Sequence, residues 1–286
     1  MIGEKSYISK LFYYAVIILI TAGLLWFFES DRTSYERFKL NKLLNNNYEV
    51  GHAYLYGKGV KQDKVKGLTI IFESANDGDE SSTEFYANML WNKYSKGELT
   101  DESFKELFTW IKKASLISSS NIYPNHLGFL YEHGVGVDKN HKFAIKWYQI
   151  SMENCNDSAK YSLSHLLKYG NDESIRDYKK SFEYSLELAQ KGHPLSQYKT
   201  ALNYNAGVGV IQNYIEAYAW SLIYKTNSKD DRYGLAESLQ KELKHKIEKD
   251  DIVKAQERAK ELTKKTLLKA LKSFSILCSN RSNLIN

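Results

Sequence analysis

Proline occurs twice in 286 residues, cysteine twice and methionine three times. So little proline, with only 16 glycines, excludes collagen-like and linker-rich chains and many-turned β architectures, and leaves long helices as the economical reading. Two cysteines, Cys155 and Cys278, provide no zinc-ligand spacing and no disulfide framework. They permit either one bridge in an oxidising compartment or two free, buried thiols. A large excess of one charge is also missing. The balance of 40 Lys and Arg against 34 Asp and Glu gives +6, well short of a dedicated nucleic-acid binder. With 43% hydrophobic and 26% charged residues the chain has an ordinary globular composition and material for a sizeable core.

Long apolar runs are absent but for one. From Leu11 to Phe28 eighteen residues carry no charge, enough helix to span about 27 Å, close to a bilayer's hydrocarbon core. Tyr13, Tyr14 and Trp26 stand near its ends, where amphipathic rings suit the two interfaces. The run is longer than a usual signal-peptide core and ends in Trp26, Phe27 and Phe28 instead of a small-residue cleavage pattern. The expectation is a short tail over 1–10, an uncleaved transmembrane helix over 11–28 and a linker or leading helix over 29–44. Lys5 and Lys10 before the span argue for export of the chain beyond Phe28, and Arg32, Arg37, Lys39 and Lys42 after it argue the opposite way. The reading adopted is a signal anchor that carries the rest of the chain across the membrane, with a cytosol-facing orientation as the alternative.

Internal repetition is the dominant pattern beyond the span. Gly51-His-Ala-Tyr-Leu-Tyr-Gly-Lys-Gly-Val60, Gly128-Phe-Leu-Tyr-Glu-His-Gly-Val-Gly-Val137 and Ala201-Leu-Asn-Tyr-Asn-Ala-Gly-Val-Gly-Val210 are one motif written three times. Gly57, Gly134 and Gly207 are its first turn glycines, Gly59, Gly136 and Gly209 its second. Gly97, three after Tyr94, and Gly170, three after Leu167, fill the two gaps, so that successive glycines are separated by 40, 37, 36 and 37 residues. The chain therefore carries five units. A second column agrees: Ile70, Trp110, Trp147 and Trp220 stand thirteen residues after their glycines, and Tyr184 takes the place in the fourth unit after a one-residue insertion. Small residues, Gly67, Ala144 and Ala217, recur ten beyond the glycine.

Each unit reads as two antiparallel helices. The first carries its small residue and tyrosine three apart (Gly51 and Tyr54, Gly128 and Tyr131, Ala201 and Tyr204), on one face toward the partner helix. Gly57, Gly134 and Gly207 end that helix with positive φ. Asp63, Asn140 and Asn213, six residues on, N-cap the second helix, with Glu216 completing a capping-box pattern in the last unit. The second helix is expected to bury Ile70, Trp147 or Trp220 against its partner and the next unit, because one hairpin cannot cover its own apolar face.

The order small residue, Tyr, Gly-x-Gly-Val, Asp or Asn, Ala, Trp, with a period near 37, resembles the Sel-one-like repeat (SLR), a relative of the tetratricopeptide repeat. The resemblance covers roughly 45–229. Trp91 and Leu99 in the second unit and Leu167 in the fourth depart from it. It implies an all-α fold, a right-handed α/α solenoid of about five helical hairpins, closed by C-terminal capping helices over 230–265 and ending in a tail over 266–286. The segment Asp250 to Ala259 is similar to the closing helix of such proteins. The family implies binding of a protein partner, in an adaptor or scaffold at a membrane or in the bacterial envelope, and no shared catalysis or cofactor. That places the solenoid in the periplasm behind an inner-membrane anchor. An immunity protein that blocks a delivered toxin is one form of this reading. An envelope enzyme acting on cell-wall or β-lactam-like substrates is the alternative class, though no nucleophile and base pair stands out.

His52, Phe129 and His165 occupy equivalent positions, five before the turn glycine, and are the candidate partner-binding residues; solvated helix positions are the plainer reading of them. His126 and His133, seven apart, lack an HExxH pattern, so no metal is expected. The paired glycine turns follow a helix and lack the Lys-Ser/Thr of a phosphate loop. Between Lys241 and Lys272 stand 11 Lys or Arg and 6 Asp or Glu, a basic segment suited to acidic lipid or an acidic partner, or simply a solvated capping helix.

Overall fold

The computed structural model describes residues 32–282 except 154 and 229–233, with side chains described as far as 268. The expected transmembrane helix over 11–28 lies outside the described residues. No helix among the described residues is long and apolar enough to cross a membrane.

The helices begin and end where the local chemistry directs. Asp63, Asn140 and Asn213 accept hydrogen bonds from the backbone N–H groups of Lys66, Phe143 and Glu216, each at 3.0 Å, so each caps a helix that starts one residue later. The turn glycines Gly57, Gly134 and Gly207 have φ of 72°, 73° and 68°, the left-handed region that a Cβ disfavours. Between these signals run α1 (32–43), α2 (Asn47–Tyr56), α3 (Lys64–Asn76), α4 (Glu80–Ser95), α5 (Phe104–Ile117), α6 (Ile122–His133), α7 (His141–Glu153), α8 (Asp157–Tyr169), α9 (Tyr178–Gln190), α10 (Pro194–Ala206), α11 (Tyr214–Asn227), α12 (Leu235–Lys244) and α13 (Lys249–Ser282). Five hairpins, α2/α3 to α10/α11, correspond to the five expected units, and no strand occurs among the described residues.

The chain divides into two compact units, Met1–Ser119 and Ser120–Asn286. In the first, α2 packs on α3, α3 on α4 and α4 on α5. Helix α1 precedes them, with Phe38 set edge-on to Tyr54 at 5.5 Å. In the second, α6 to α11 pack each on the next, and α11 is then covered by both α12 and α13. Ala255, Ala259 and Leu262 of α13 join Leu239 and Leu243 of α12 and Trp220, Ile223 and Ala217 of α11 in one core, which closes the apolar end of the stack. α13 continues beyond this core to Ser282 without interruption, through the segment expected as a tail.

The principal buried column differs from the expected one by a single residue. Trp220 and Trp110 are buried, but Ile70, Trp147 and Tyr184 are only half-buried. Their neighbours Ile71, Ile111, Tyr148, Ser185 and Ser221 are each almost wholly enclosed. Helix geometry supplies the reason. The small residues ten beyond the glycine, Gly67, Ala144 and Ala217, are buried against the first helix, and the residue four further on, not three, shares their stripe. Close approach there needs small side chains: a Cβ on Gly51 would lie 2.9 Å from the Gly67 carbonyl oxygen, and one on Gly128 would lie 2.7 Å from the Tyr148 ring.

Gly170 ends α8 differently from the other turn glycines, with φ of −55°, and is required by space, since a Cβ would meet the Ile175 side chain at 2.7 Å. The one-residue insertion of that hairpin is taken up in the 3-10 turn Glu173–Ile175. The capping box at Asn213 is half made. Asn213 donates its N–H to the Tyr204 carbonyl at 3.0 Å, and Glu216 accepts from Arg258 Nε of α13 at 2.6 Å. The same backbone bond joins Asp63 to Tyr54 and Asn140 to Tyr131, and Asp177 makes it to Leu167, so the turn itself already uses the donor a capping box would satisfy.

Candidate partner-binding surface

The first helix of each hairpin carries a face distinct from the one bearing its signature small residue and tyrosine. Counted back from the turn glycine it comprises positions nine, five and one, which are i, i+4 and i+8 on a helix and therefore adjacent. In α2 these are Tyr48, His52 and Tyr56, in α6 Asn125, Phe129 and His133, in α8 Tyr161, His165 and Tyr169, and in α10 Tyr198, Leu202 and Ala206. The rings contact one another along each helix: His52 on Tyr56 at 4.4 Å, Phe129 stacked on His133 at 4.1 Å, and His165 on Tyr169 at 4.8 Å. Of the three residues singled out in the sequence, His165 is exposed and His52 and Phe129 are half-buried.

In the first unit Tyr48 also approaches Phe85 of α4 at 6.1 Å. A cavity of about 620 Å³ opens there, lined by Tyr48, Tyr56, Phe85, Asn88, Met89 and Asn92. Burial, followed by the Lys58 ammonium, holds His52 below its ordinary proton affinity, so it is uncharged at neutral pH.

In the second unit the same face is polar at its base. Lys199 of α10 lays its ammonium over the Tyr161 ring of α8, 3.8 Å from the centroid. Its Nζ is buried and donates no hydrogen bond among the described residues. Desolvation, then the Lys168 charge, brings its pKa down to about 8, against a weaker opposing pull from Glu132. Lys168 donates to Asn203 Oδ1 of α10. Glu132 of α6 accepts from the Tyr148 hydroxyl at 2.6 Å. Burial first and Lys199 second hold His165 and His193 below their usual values. The Asn125 side-chain oxygen on α6 is likewise buried without a hydrogen-bond donor. The arrangement suits recognition: aromatic faces with polar groups held between them.

The sequence had pointed only to the middle position of this face. The flanking positions were equally readable from the repeat register, as Tyr48, Tyr161 and Tyr198 show. Lys199, Lys168 and Glu132 carried no signal, because nothing among 40 basic residues marks a lysine whose tip is turned inward. The other expected positions are structural. Gly59 and Gly209 have φ of 69° and 73° and back directly onto the backbone of Ser34 in α1 and Tyr178 in α9. Gly136, φ 69°, and Gly97, φ 70°, are turn residues of the same kind. Tyr131 packs on Phe143 at 5.3 Å and Tyr204 on Phe182 at 5.2 Å. His126 is buried beside Tyr123, and His133 bonds through Nδ1 to the Phe129 carbonyl oxygen. Among the described residues no three His, Cys, Asp or Glu side chains are grouped to hold a metal ion. Cys155 is exposed at φ 61°, not buried.

Stacked helical hairpins with a capped end define an α/α repeat protein. Over 47–78, 125–153, 157–193 and 194–222 the chain matches the Sel1 repeat. The second hairpin, where Trp91 and Leu99 depart from the signature, is not matched. Among solved structures it is similar to a Sel1 repeat protein from Oxalobacter formigenes, 21% identical, with a TM-score of 0.54 over 77% of this chain and 83% of that one. It is also similar to c5321, a protective antigen of uropathogenic Escherichia coli displaying an SLR fold, at 18% identity and a TM-score of 0.46 over 87% of this chain and 60% of that one. The first likeness concerns the fold alone. No curated protein matches the chain.

Proposed function

We propose that this protein is a membrane-anchored scaffold that docks a protein partner on the aromatic face of its first helices. The observation that carries the reading is the second unit's Lys199, a cation with a buried, hydrogen-bond-free tip on a face otherwise built of Phe129, Tyr161, His165 and Tyr198. Ordinary surface lysines keep that tip in water. The match to a repeat of a kind that mediates protein–protein interaction supports the same conclusion. A photo-crosslinking amino acid at Phe129 or His165 is expected to trap one saturable protein partner in cells, and the same group at the exposed Lys146 or Glu183 of the second helices is not. Equal crosslinking from both faces would sink the assignment.

The uncharged run Leu11–Phe28 supports the anchor, and the two lysines before it support a periplasmic solenoid. The full chain should remain with membranes through alkaline carbonate extraction, and a chain starting at Asp31 should be released. Protease added outside spheroplasts should digest the repeats; protection would reverse the orientation.

A further inference from the structure

We propose that the Lys199 ammonium, on the Tyr161 ring and beside Lys168, is the seat for a carboxylate of the docked partner, from an Asp or Glu side chain or a chain terminus. The inference rests on the docking reading above and names the chemistry the second unit's face selects. Charge balance carries it. Around Lys199 stand Lys168, His165 and Tyr161 on α8, Glu132 on α6, and His193 at the start of α10. His165 and His193 are neutral at pH 7, and Glu132 is engaged by the Tyr148 hydroxyl, which leaves two lysines against one carboxylate. Lys168 has an acceptor in Asn203; Lys199 lies on the face of a ring with no hydrogen-bond acceptor among the described residues.

A buried ammonium facing a π-cloud is partly compensated, but its three N–H donors are unmade and each is costly to leave so. An apolar occupant would not relieve that cost, and a cationic one would add repulsion. A carboxylate supplies both charge and acceptors, and a monoanion neutralises the recess where a dianionic phosphate overshoots it. Lys199 is half-buried along its stem, and its four-carbon chain lets the tip swing toward such a group.

Binding of a carboxylate favours the charged form of Lys199, so complex formation takes up a proton. Affinity is therefore highest below about pH 8 and falls as the free site loses its proton above it, before the ordinary lysines titrate. The test uses the full chain in nonionic detergent with acetyl-hexaglutamate amide as probe. Calorimetry in two buffers of different ionisation enthalpy is expected to show proton uptake near pH 8. Lys199→Met is expected to weaken binding at least tenfold, and Tyr161→Phe, which keeps the ring, less than threefold. Equal binding by hexaglutamine, by inorganic phosphate or by Lys199→Met would overturn the proposal. So would the absence of proton uptake, a readout on the wild-type chain that needs no variant to fold. If these fail while crosslinking from Phe129 and His165 persists, the docking face stands and only its carboxylate specificity falls.

Discussion

Gly192 and Gly209 show two degrees of the same requirement. Gly192 has φ of 92° with open space where a Cβ would go, so Gly192→Ala incurs only the backbone penalty, about 1 kcal/mol. Gly209 has φ of 73° and its Cβ would overlap the Tyr178 carbonyl, so Gly209→Ala is expected to cost about 3 kcal/mol or more, because one of two helices must move. Urea unfolding midpoints of the two variants should separate clearly; equal losses would mean that the second glycine of the motif serves φ alone. Burial gives a second residue-scale prediction. His126 is pushed down to about 4 by desolvation, from an ordinary value near 6.5. The unfolded chain therefore binds a proton that the folded chain refuses as pH falls between those values, and stability declines through that window by up to roughly 3 kcal/mol, while above pH 6.5 the residue contributes nothing to the slope. His126→Gln should flatten the pH dependence of the urea midpoint between pH 6.5 and 5 relative to wild type.

At the scale of the helix, boundaries are set by short-range chemistry and faces by long-range packing, and only the first is written locally. Asp63, Asn140 and Asn213 announced the starts of α3, α7 and α11, and the paired glycines the ends of α2, α6 and α10, because caps and left-handed turns restrict residue type whatever surrounds them. The buried column was displaced toward Trp147 because tryptophan dominates any apolar pattern, whereas the enclosed neighbour is Tyr148, whose hydroxyl meets Glu132, and in other hairpins a serine. Lys199 was illegible for a related reason: its significance arises from Tyr161, thirty-eight residues away, and not from its neighbours in the chain. Glu216 likewise had a local role assigned and a distant partner in fact. Its bond to Arg258 fastens α13 to α11, with both groups partly enclosed. Arg258→Met should cost about 1–2 kcal/mol, more than an exposed pair and less than a fully buried one. A double-mutant cycle with Glu216→Gln is expected to show that most of the loss is coupling between the two residues; additive losses would assign it to the Arg258–Glu261 pair on α13 itself.

For the whole molecule the consequence of a repeat architecture is that damage is local. Within each compact unit a hairpin is stabilised by its neighbours, so the loss of one interface is felt first by its own unit. Trp220, 1% exposed, is the largest side chain in the core that joins α11 to the capping pair α12 and α13. Trp220→Ala should cost about 3–5 kcal/mol there, because truncating a fully buried tryptophan loses its burial and leaves a large cavity in a packed core. Hydrogen exchange followed by mass spectrometry then separates two kinds of protein. If stability is the sum of neighbour contacts, amides of α10, α11 and α13 lose protection in the variant while those of α2 to α4 keep theirs, consistent with the chain's division at Ser119. A uniform loss of protection from α2 to α13 would mean instead that the five hairpins unfold as one cooperative body, and a partner docked on one unit would then stabilise both.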